Sequence, residues 1–329
     1  MAYKKQATFG EYTIGVRENN SIEVLVNGKP YDGAVKPLLR DIARQVGLTV
    51  EKTWTTRDLG RVLVKYFNGC TNRKQKKLSD FASLVKEEIK CFLENREELF
   101  FNERDLQMHL ALYLIDKHRD EWDVDVEYYV PSKQFDKDYP WKKSRNPKEP
   151  QEMRIDIVVS DKEKQEYVPI EIKYKTKKID SKSIKNFDRF GECEEELDLL
   201  KDQSARDLGM YNYWKDIRRV ELVCKKYEKV KNGFALFLTN DIKYTDKPSK
   251  EDCNYYNFSI HQNKHLNKEE IKWKSDDSKI AKSPSYPAFK VDGEYCLGWD
   301  YSKCKLQGEQ FYYCLIDIKS LELENKGEC

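Results

Sequence analysis

Two runs of alternating apolar and polar residues, at 154–159 and 168–175, constrain the fold of this chain more than any other feature. Alternation with a period of two is typical of β-strands, because successive side chains point to opposite faces of a sheet. A mostly charged segment at 160–167 connects the two runs. The sequence therefore predicts a β-hairpin with one face that carries acidic and basic side chains.

The register of this hairpin decides which side chains share that face. If Val159 and Val168 pair beside the connection, antiparallel pairing sets Asp156 opposite Glu171, with Cβ atoms about 5 Å apart. Lys173 then lies on the same face, two residues further along. A shift of one residue would move Asp156 to the other face. The predicted site therefore depends on this register.

Two carboxylates and an ammonium on one face suit the hydrolysis of phosphodiesters with a hard divalent cation. Carboxylate oxygens bind Mg²⁺ at about 2.0 to 2.1 Å, and the ion retains several waters. The ion acidifies one water and offsets the negative charge that grows on the phosphate, while a lysine can orient or deprotonate that water. The alternative is an ordinary half-buried hairpin whose polar face contacts solvent.

The sequence of Asp156 followed by Glu171, Ile172 and Lys173 resembles the core of the PD-(D/E)xK, or restriction-endonuclease-like, nucleases. The resemblance implies an α/β fold in which helices flank a mixed sheet, with Mg²⁺ as cofactor and Mn²⁺ able to substitute. It assigns Asp156 and Glu171 as metal ligands and Lys173 as the residue that orients the attacking water. Ile155 stands where the family usually has a proline.

The family often adds a glutamate from a preceding helix, and Glu103 matches that position. Asn102 is a favourable N-cap for a helix here, and Asp105 stands at its third position. An apolar stripe at helical spacing follows, formed by Leu106, Leu110, Tyr113 and Leu114. The resemblance assigns Glu103 as a further ligand of the metal or of its water.

A helix and a buried strand are predicted after the hairpin. Residues 205–220 place apolar side chains on one helical side, and 234–239 form a continuous apolar run typical of a doubly covered strand. A strand, helix and strand in this order predict a right-handed parallel connection, which the nuclease family also uses. Branches of that family place a Gln or Arg of this helix near the site, and Gln203 and Arg206 match. The alternative is that both are structural.

Length and composition predict two domains. The 329 residues are 39% hydrophobic, enough to bury a sizeable core. Residues 1–72 predict a small α+β domain with a hairpin at 11–26 and helices at 34–46 and 55–67. Residues 73–329 predict the nuclease-like domain, with an exposed loop at 131–150 and an aromatic-rich C-terminal β extension. One face of the helix at 55–67 could contact DNA or simply face solvent, and it carries Arg57, Arg61 and Lys65.

Charge and cysteine content narrow the class of protein. The net charge is only +2, so contacts with nucleic acid must come from local clusters. The nine cysteines include no CxxC pair, which argues against a zinc site and a disulfide framework. The sequence has no signal peptide and no run of 18 apolar residues. We therefore expect a cytoplasmic, reduced protein that does not enter a membrane.

Three functions fit these observations. The first is a Mg²⁺-dependent DNA endonuclease in restriction or another defence, without an organic cofactor. Cutting both strands needs two sites, which suggests a homodimer. The second is a catalytically inactive nucleic-acid-binding protein that keeps the nuclease core, and the third is an α/β interaction protein that binds no nucleic acid. Retention of both carboxylates and the lysine favours catalysis, because burying them without a metal is costly.

Overall fold

The chain forms two compact units, Met1–Asp80 and Phe81–Cys329. The predicted domain boundary between residues 72 and 73 lies outside the residues that the structure describes. The computed structural model describes residues 3–9, 12–17, 21–26, 29–45, 55–56, 59–60, 63, 80–97, 99–143, 146–163, 165–180, 198–203, 205–306 and 309–320.

The first unit contains an antiparallel sheet and a helix. Its strands pair in chain order: β1 (Tyr3–Phe9), β2 (Tyr12–Arg17), β3 (Ile22–Val26) and β4 (Lys29–Pro30). The predicted hairpin is β2 and β3, and α1 (Val35–Gln45) is the predicted first helix. A small apolar core joins them, formed by Ile14, Val24, Leu39, Ile42, Leu59 and Leu63. Arg57, Arg61 and Lys65 lie outside the described residues, so the predicted basic face stays a prediction.

The second unit begins with two helices, α2 (Phe81–Asn95) and α3 (Glu103–Lys117), and a longer helix, α4 (Arg206–Lys226), lies in its middle. Its strands are β5 (Trp122–Val130), β6 (Lys142–Lys143), β7 (Asn146–Pro150), β8 (Met153–Asp161), β9 (Glu166–Lys175), β10 (Ile179–Asp180), β11 (Asp198–Leu200), β12 (Asn232–Thr239), β13 (His265–Asn267), β14 (Glu270–Ile271), β15 (Phe289–Lys290), β16 (Glu294–Cys296), β17 (Trp299–Leu306) and β18 (Glu309–Lys319).

Six of these strands form a mixed sheet in the order β17, β18, β12, β9, β8, β5. Only β9 and β12 pair in parallel, with Ile170 beside Phe234, and α4 connects them as predicted. The residues of β12 from Gly233 to Thr239 are buried, as expected for a strand covered on both faces. The mixed α/β class predicted from the sequence is therefore confirmed.

The hairpin of β8 and β9 has the predicted register. Val159 pairs with Val168 and Ile157 with Ile170. From Ile157 onward its apolar residues alternate between two cores, because neighbouring side chains point to opposite faces. Ile157, Ile170 and Ile172 pack with α2 and α3 on one face, whereas Val158 packs toward α4 on the other.

The interval from 131 to 150 is not the exposed loop that its lysines, aspartates and prolines suggested. Ser132–Asp138 forms a 3₁₀ helix, and β6 pairs with β7. Tyr139 and Trp141 are almost fully buried against the α4 side of the sheet. The prediction was wrong because two large aromatic side chains anchor a polar segment, and composition averaged over twenty residues hides them.

Candidate active site

The strands of the hairpin stop pairing at the point where the predicted acidic residues begin. The ladder of β8 and β9 ends at Ile157 and Ile170, although β9 continues to Lys175. Beyond that point carboxylates take the place of the missing strand. Asp156 Oδ2 accepts a hydrogen bond from the Ile172 backbone N–H at 2.6 Å, and Glu103 Oε2 accepts one from Tyr174 N–H at 3.0 Å.

The other neighbour of Asp156 is irregular as well. On β5, Val126 pairs with Ile157 and Tyr128 with Ile155, which leaves Glu127 opposite Asp156. Glu127 has a φ of 53°, in the left-handed region that a glutamate rarely occupies. Strained backbone of this kind costs about 1 to 3 kcal/mol and is concentrated at functional sites. The backbone is thus distorted on both sides of Asp156.

Helix α3 fills the gap between the strands. Asn102 caps it, since its Oδ1 accepts from Asp105 N–H at 2.9 Å, as the sequence predicted. The cap places Glu103 in the first turn, where its side chain reaches β9. One turn later, Gln107 Nε2 donates to the backbone oxygen of Asp156 at 2.6 Å. Gln107 is buried and was not predicted, although its spacing of four from Glu103 sets both on one helical face.

Lys173 lies among carboxylates from two helices. Its Nζ is 3.2 Å from Glu103 Oε1 and 3.2 Å from Asp216 Oδ2. Burial alone would lower the pKa of Lys173, but Asp216, Glu103 and Asp156 outweigh burial and raise it. The side chain is therefore a fixed ammonium, suited to contact a phosphate or orient a water and not to remove a proton.

Glu171 is buried and faces α4. Arg219 Nη1 lies 3.1 Å from Glu171 Oε1 and 3.5 Å from Asp216 Oδ1. A second nitrogen of the same guanidinium, Nη2, donates to the backbone oxygen of Arg154. Arg219 therefore connects α4, β8 and β9 at the site. We call the six groups Glu103, Asp156, Glu171, Lys173, Asp216 and Arg219 the charged cluster.

The charged cluster holds two more acidic groups than basic ones, and the pKa values of two of its acids, Asp156 and Glu171, are raised mainly by burial. Burial, with Asp216 adding to it, raises the pKa of Asp156 to about 6. Burial raises the pKa of Glu171 well above its usual range, although Arg219 opposes the shift. A positive charge added beside these carboxyl groups would stabilise their ionised form and lower their pKa values.

Several buried polar atoms around the cluster have no hydrogen-bond partner. The arginine and lysine contacts of Glu171 Oε1 and Asp216 Oδ2 meet the distance of an ion pair but not the geometry of a hydrogen bond. Arg219 Nε and the hydroxyl of Tyr139 are also unpartnered. Buried polar groups in proteins nearly always have partners, so unpartnered atoms gathered at one place indicate a site for a ligand.

Asp216 and Arg219 were not predicted as site residues. They lie on α4 three residues apart, between the buried Trp214, Ile217 and Val220. The available signal was a pair of opposite charges at that spacing beside the apolar positions of the helix. Lys215 is next to them: its Nζ donates to Gln151 Oε1 at 2.6 Å, and burial lowers its pKa to about 8.

Gln203 is not on the helix to which it was assigned. Helix α4 begins at Arg206, and Gln203 precedes it, with its backbone N–H donating to Thr176. The side chain accepts a hydrogen bond from Lys175 Nζ at 3.0 Å. Gln203 thus touches the lysine next along the charged face of β9. The guanidinium of Arg206 pairs instead with the buried Asp241, a contact that fixes the start of the helix.

The oxygen donors fit a hard divalent cation. The carboxyl groups of Asp156 and Glu171 lie close enough to interact with each other, and carboxylate oxygens are ligands by which proteins bind Mg²⁺. Within the described ranges, no group of three or more His, Cys, Asp and Glu side chains has an arrangement that could hold a metal ion. Lys173 and Arg219 lie between the carboxylates. Mg²⁺ commonly binds one or two carboxylates and keeps several of its waters.

Comparisons with known proteins return no relative: no family model, no curated protein and no solved structure matches the chain. Among the helices that the structure describes, none is long and apolar enough to cross a membrane. The site must therefore be interpreted from its own geometry.

Proposed function

We propose that this protein is a Mg²⁺-dependent nuclease with a restriction-endonuclease-like core, which hydrolyses phosphodiester bonds of DNA. The observation that carries the proposal is the interrupted hairpin. At one point β8 leaves β9, two carboxylates cap the exposed N–H groups, and a lysine lies between acidic residues. Ordinary hairpins continue their ladder there and face solvent with their polar side chains.

Asp156 and Glu171 are the proposed metal ligands. Asp156 Oδ2 accepts a hydrogen bond from Ile172 N–H, which fixes the direction of this carboxylate. When bound, Mg²⁺ or Mn²⁺ would supply a Lewis acid and an acidified water. Glu103 was predicted as a third ligand, and this role stays a prediction. Its two oxygens contact Lys173 and Tyr174, so positioning of Lys173 is the role that its contacts favour.

Lys173 and Arg219 supply the positive charge. The Lys173 ammonium is held by Glu103 and Asp216, and it can orient a water or contact a phosphate oxygen without losing its proton. Arg219 neutralises Glu171 and fixes its direction. Preorganised cations of this kind stabilise the charge that develops during phosphoryl transfer.

A second function is a nucleic-acid-binding protein that retains the core without catalysis. The contact that favours it is the ion pair of Arg219 with Glu171, because a guanidinium occupies one side of a proposed metal ligand. The two functions differ in whether the cluster takes up a cation.

Cleavage of supercoiled plasmid DNA separates these functions. The wild type should nick the plasmid with Mg²⁺ or Mn²⁺ and stop when EDTA is added. Asp156→Asn and Lys173→Ala should each abolish nicking, because one removes a ligand and the other the ammonium. Lys162→Ala is the matched control, since this lysine on the same hairpin pairs with the exposed Asp123.

The products report on assembly and on the alternative. Linear product formed in step with nicked product would support a homodimer with two sites, whereas nicked product alone would support one site acting at a time. DNA binding without any nicking in either metal would favour the inactive protein. Nicking that survives in Asp156→Asn would exclude the proposed site.

A further inference from the structure

An apolar pocket lies beside the charged cluster, on the α4 side of the sheet. It has a volume of about 470 Å³, within the usual range for pockets that take small organic groups. Flat side chains dominate its wall, including Tyr128, Tyr167, Tyr227, Pro131 and Pro169. Tyr128 is 44% exposed, and exposed aromatic side chains around a pocket often indicate a binding surface.

The pocket and the cluster are built from the same elements. Two residues along a strand cover about 6.6 Å, and one turn of a helix about 5.4 Å. Each of three elements contributes one residue to the charged cluster and another residue to the pocket, two positions away on a strand or one turn away on the helix. These pairs are Asp156 and Val158 on β8, Glu171 and Pro169 on β9, and Arg219 and Val223 on α4. A ligand in the pocket would therefore lie within one nucleotide's reach of the carboxylates.

The charges at the rim suit a group attached to phosphate. Lys226 and Lys229 line the pocket against a single acid, Glu228. The guanidinium of Arg154 lies 6.0 Å from the ring centroid of the neighbouring Tyr129. Aromatic walls within a positively charged rim are the combination by which proteins bind unpaired bases, stacking on the base and attracting its backbone.

We propose that this pocket holds an unpaired base of the DNA strand whose phosphate lies at the charged cluster. Tyr128 is the principal stacking residue, because it pairs with Ile155 on the pocket face and its ring is open to solvent. This inference rests on the proposed function, because the proposed nuclease activity identifies the bound strand as DNA. It adds that the protein acts on DNA that is single-stranded, or on a base that leaves the duplex.

Binding in EDTA tests the pocket apart from cleavage. Fluorescence anisotropy would compare a labelled thymidine strand with an all-abasic strand of the same length, which has the same phosphates and no bases. The wild type should bind the thymidine strand about 5- to 150-fold more tightly, the factor that one stacked base provides. Tyr128→Ala should bring this ratio close to one, and Tyr128→Phe should preserve it because the ring remains.

The matched control is Tyr301→Ala, which removes a tyrosine that is 70% exposed on β17, at the opposite edge of the sheet. It should leave the ratio unchanged. A ratio near one in the wild type, or a larger ratio that Tyr128→Ala does not reduce, would overturn the proposal. The binding measurement contains no metal, so its result does not depend on cleavage. An absence of nicking in the plasmid assay would contradict the proposed nuclease activity but would leave the conclusion about the pocket unchanged.

Discussion

The two faces of the central sheet differ although the same strands form both. Toward α2 and α3, the strands present Ile157, Ile170 and Ile172, all completely buried in an apolar core. Toward α4, the same strands contribute Val158 to a second apolar core. On that face they also present Glu171 and Lys173, which pair with Arg219 and Asp216 of α4. The first face stabilises the protein, since each buried aliphatic side chain contributes about 1.5 to 3 kcal/mol.

The charged cluster does not contribute to stability in the same way. Burying ions costs more than their mutual attraction returns unless the geometry is excellent, and well-packed apolar side chains are often more stabilising. Here Glu171 Oε1, Asp216 Oδ2 and Arg219 Nε lack hydrogen bonds. The difference between the faces supports the proposal that the charged cluster serves binding or catalysis.

The largest effect should come from removing the Arg219 guanidinium, which pairs with two buried carboxylates of the charged cluster. Arg219→Met keeps an unbranched side chain but leaves Glu171 and Asp216 without it, so the free energy of unfolding should fall by about 3 to 5 kcal/mol. Urea unfolding measures the loss. The control is Arg119→Met, because Arg119 is 74% exposed and its change should be close to zero. A small loss for Arg219→Met would mean that the buried charges are not interdependent.

A comparable loss is expected on the apolar face, with a different consequence for function. Ile172→Ala creates a cavity beside α3 and should cost about 2 to 5 kcal/mol. The neighbouring Lys173→Ala should abolish nicking, whereas Ile172→Ala should retain it per folded molecule. The measurement is plasmid nicking scaled by the folded fraction from urea unfolding. If Ile172→Ala, corrected in this way, were as inactive as Lys173→Ala, the division of roles between the faces would be wrong.

The pH dependence of the free energy of unfolding should show the contribution of Asp156, a member of the charged cluster. The unfolded chain releases the Asp156 proton near pH 4, while the folded chain holds it up to about pH 6. Between these values the unfolded state binds fewer protons, so stability falls as the pH rises, by at most about 3 kcal/mol. Asp156→Asn should remove this contribution. Urea unfolding of both proteins across this range would show it, and parallel curves would contradict the assignment.

The central hairpin could be predicted from the sequence because its register follows from alternation alone. Val159 and Val168 flank the connection, and an apolar face on each strand excludes a shift by one residue. Glu103 was also placed correctly in the first turn of a helix, since Asn102 and Asp105 mark its start. Both signals are local, and local patterns survive folding when packing agrees with them.

The α4 contribution could not be predicted because it depends on contacts between distant segments. Asp216 and Arg219 meet β9 only after the crossover returns the helix to the sheet, over 40 residues from Lys173 in sequence. Gln203 was chosen for its similarity to family members, and it precedes the helix. Tyr139 and Trp141 were hidden by their polar surroundings for the same reason: burial is set by the fold and not by neighbours in sequence.

The central claim is that the charged cluster binds a divalent cation. Thermal unfolding with and without Mg²⁺ tests this claim most directly. At an Mg²⁺ concentration about 100 times the Kd, binding adds about 2.7 kcal/mol and should raise the wild-type Tm by about 5 to 10 °C. Lys173→Ala should keep the increase, because the ammonium is not a ligand, and Asp156→Asn should lose it. No increase in the wild type, or an equal increase in Asp156→Asn, would contradict the claim.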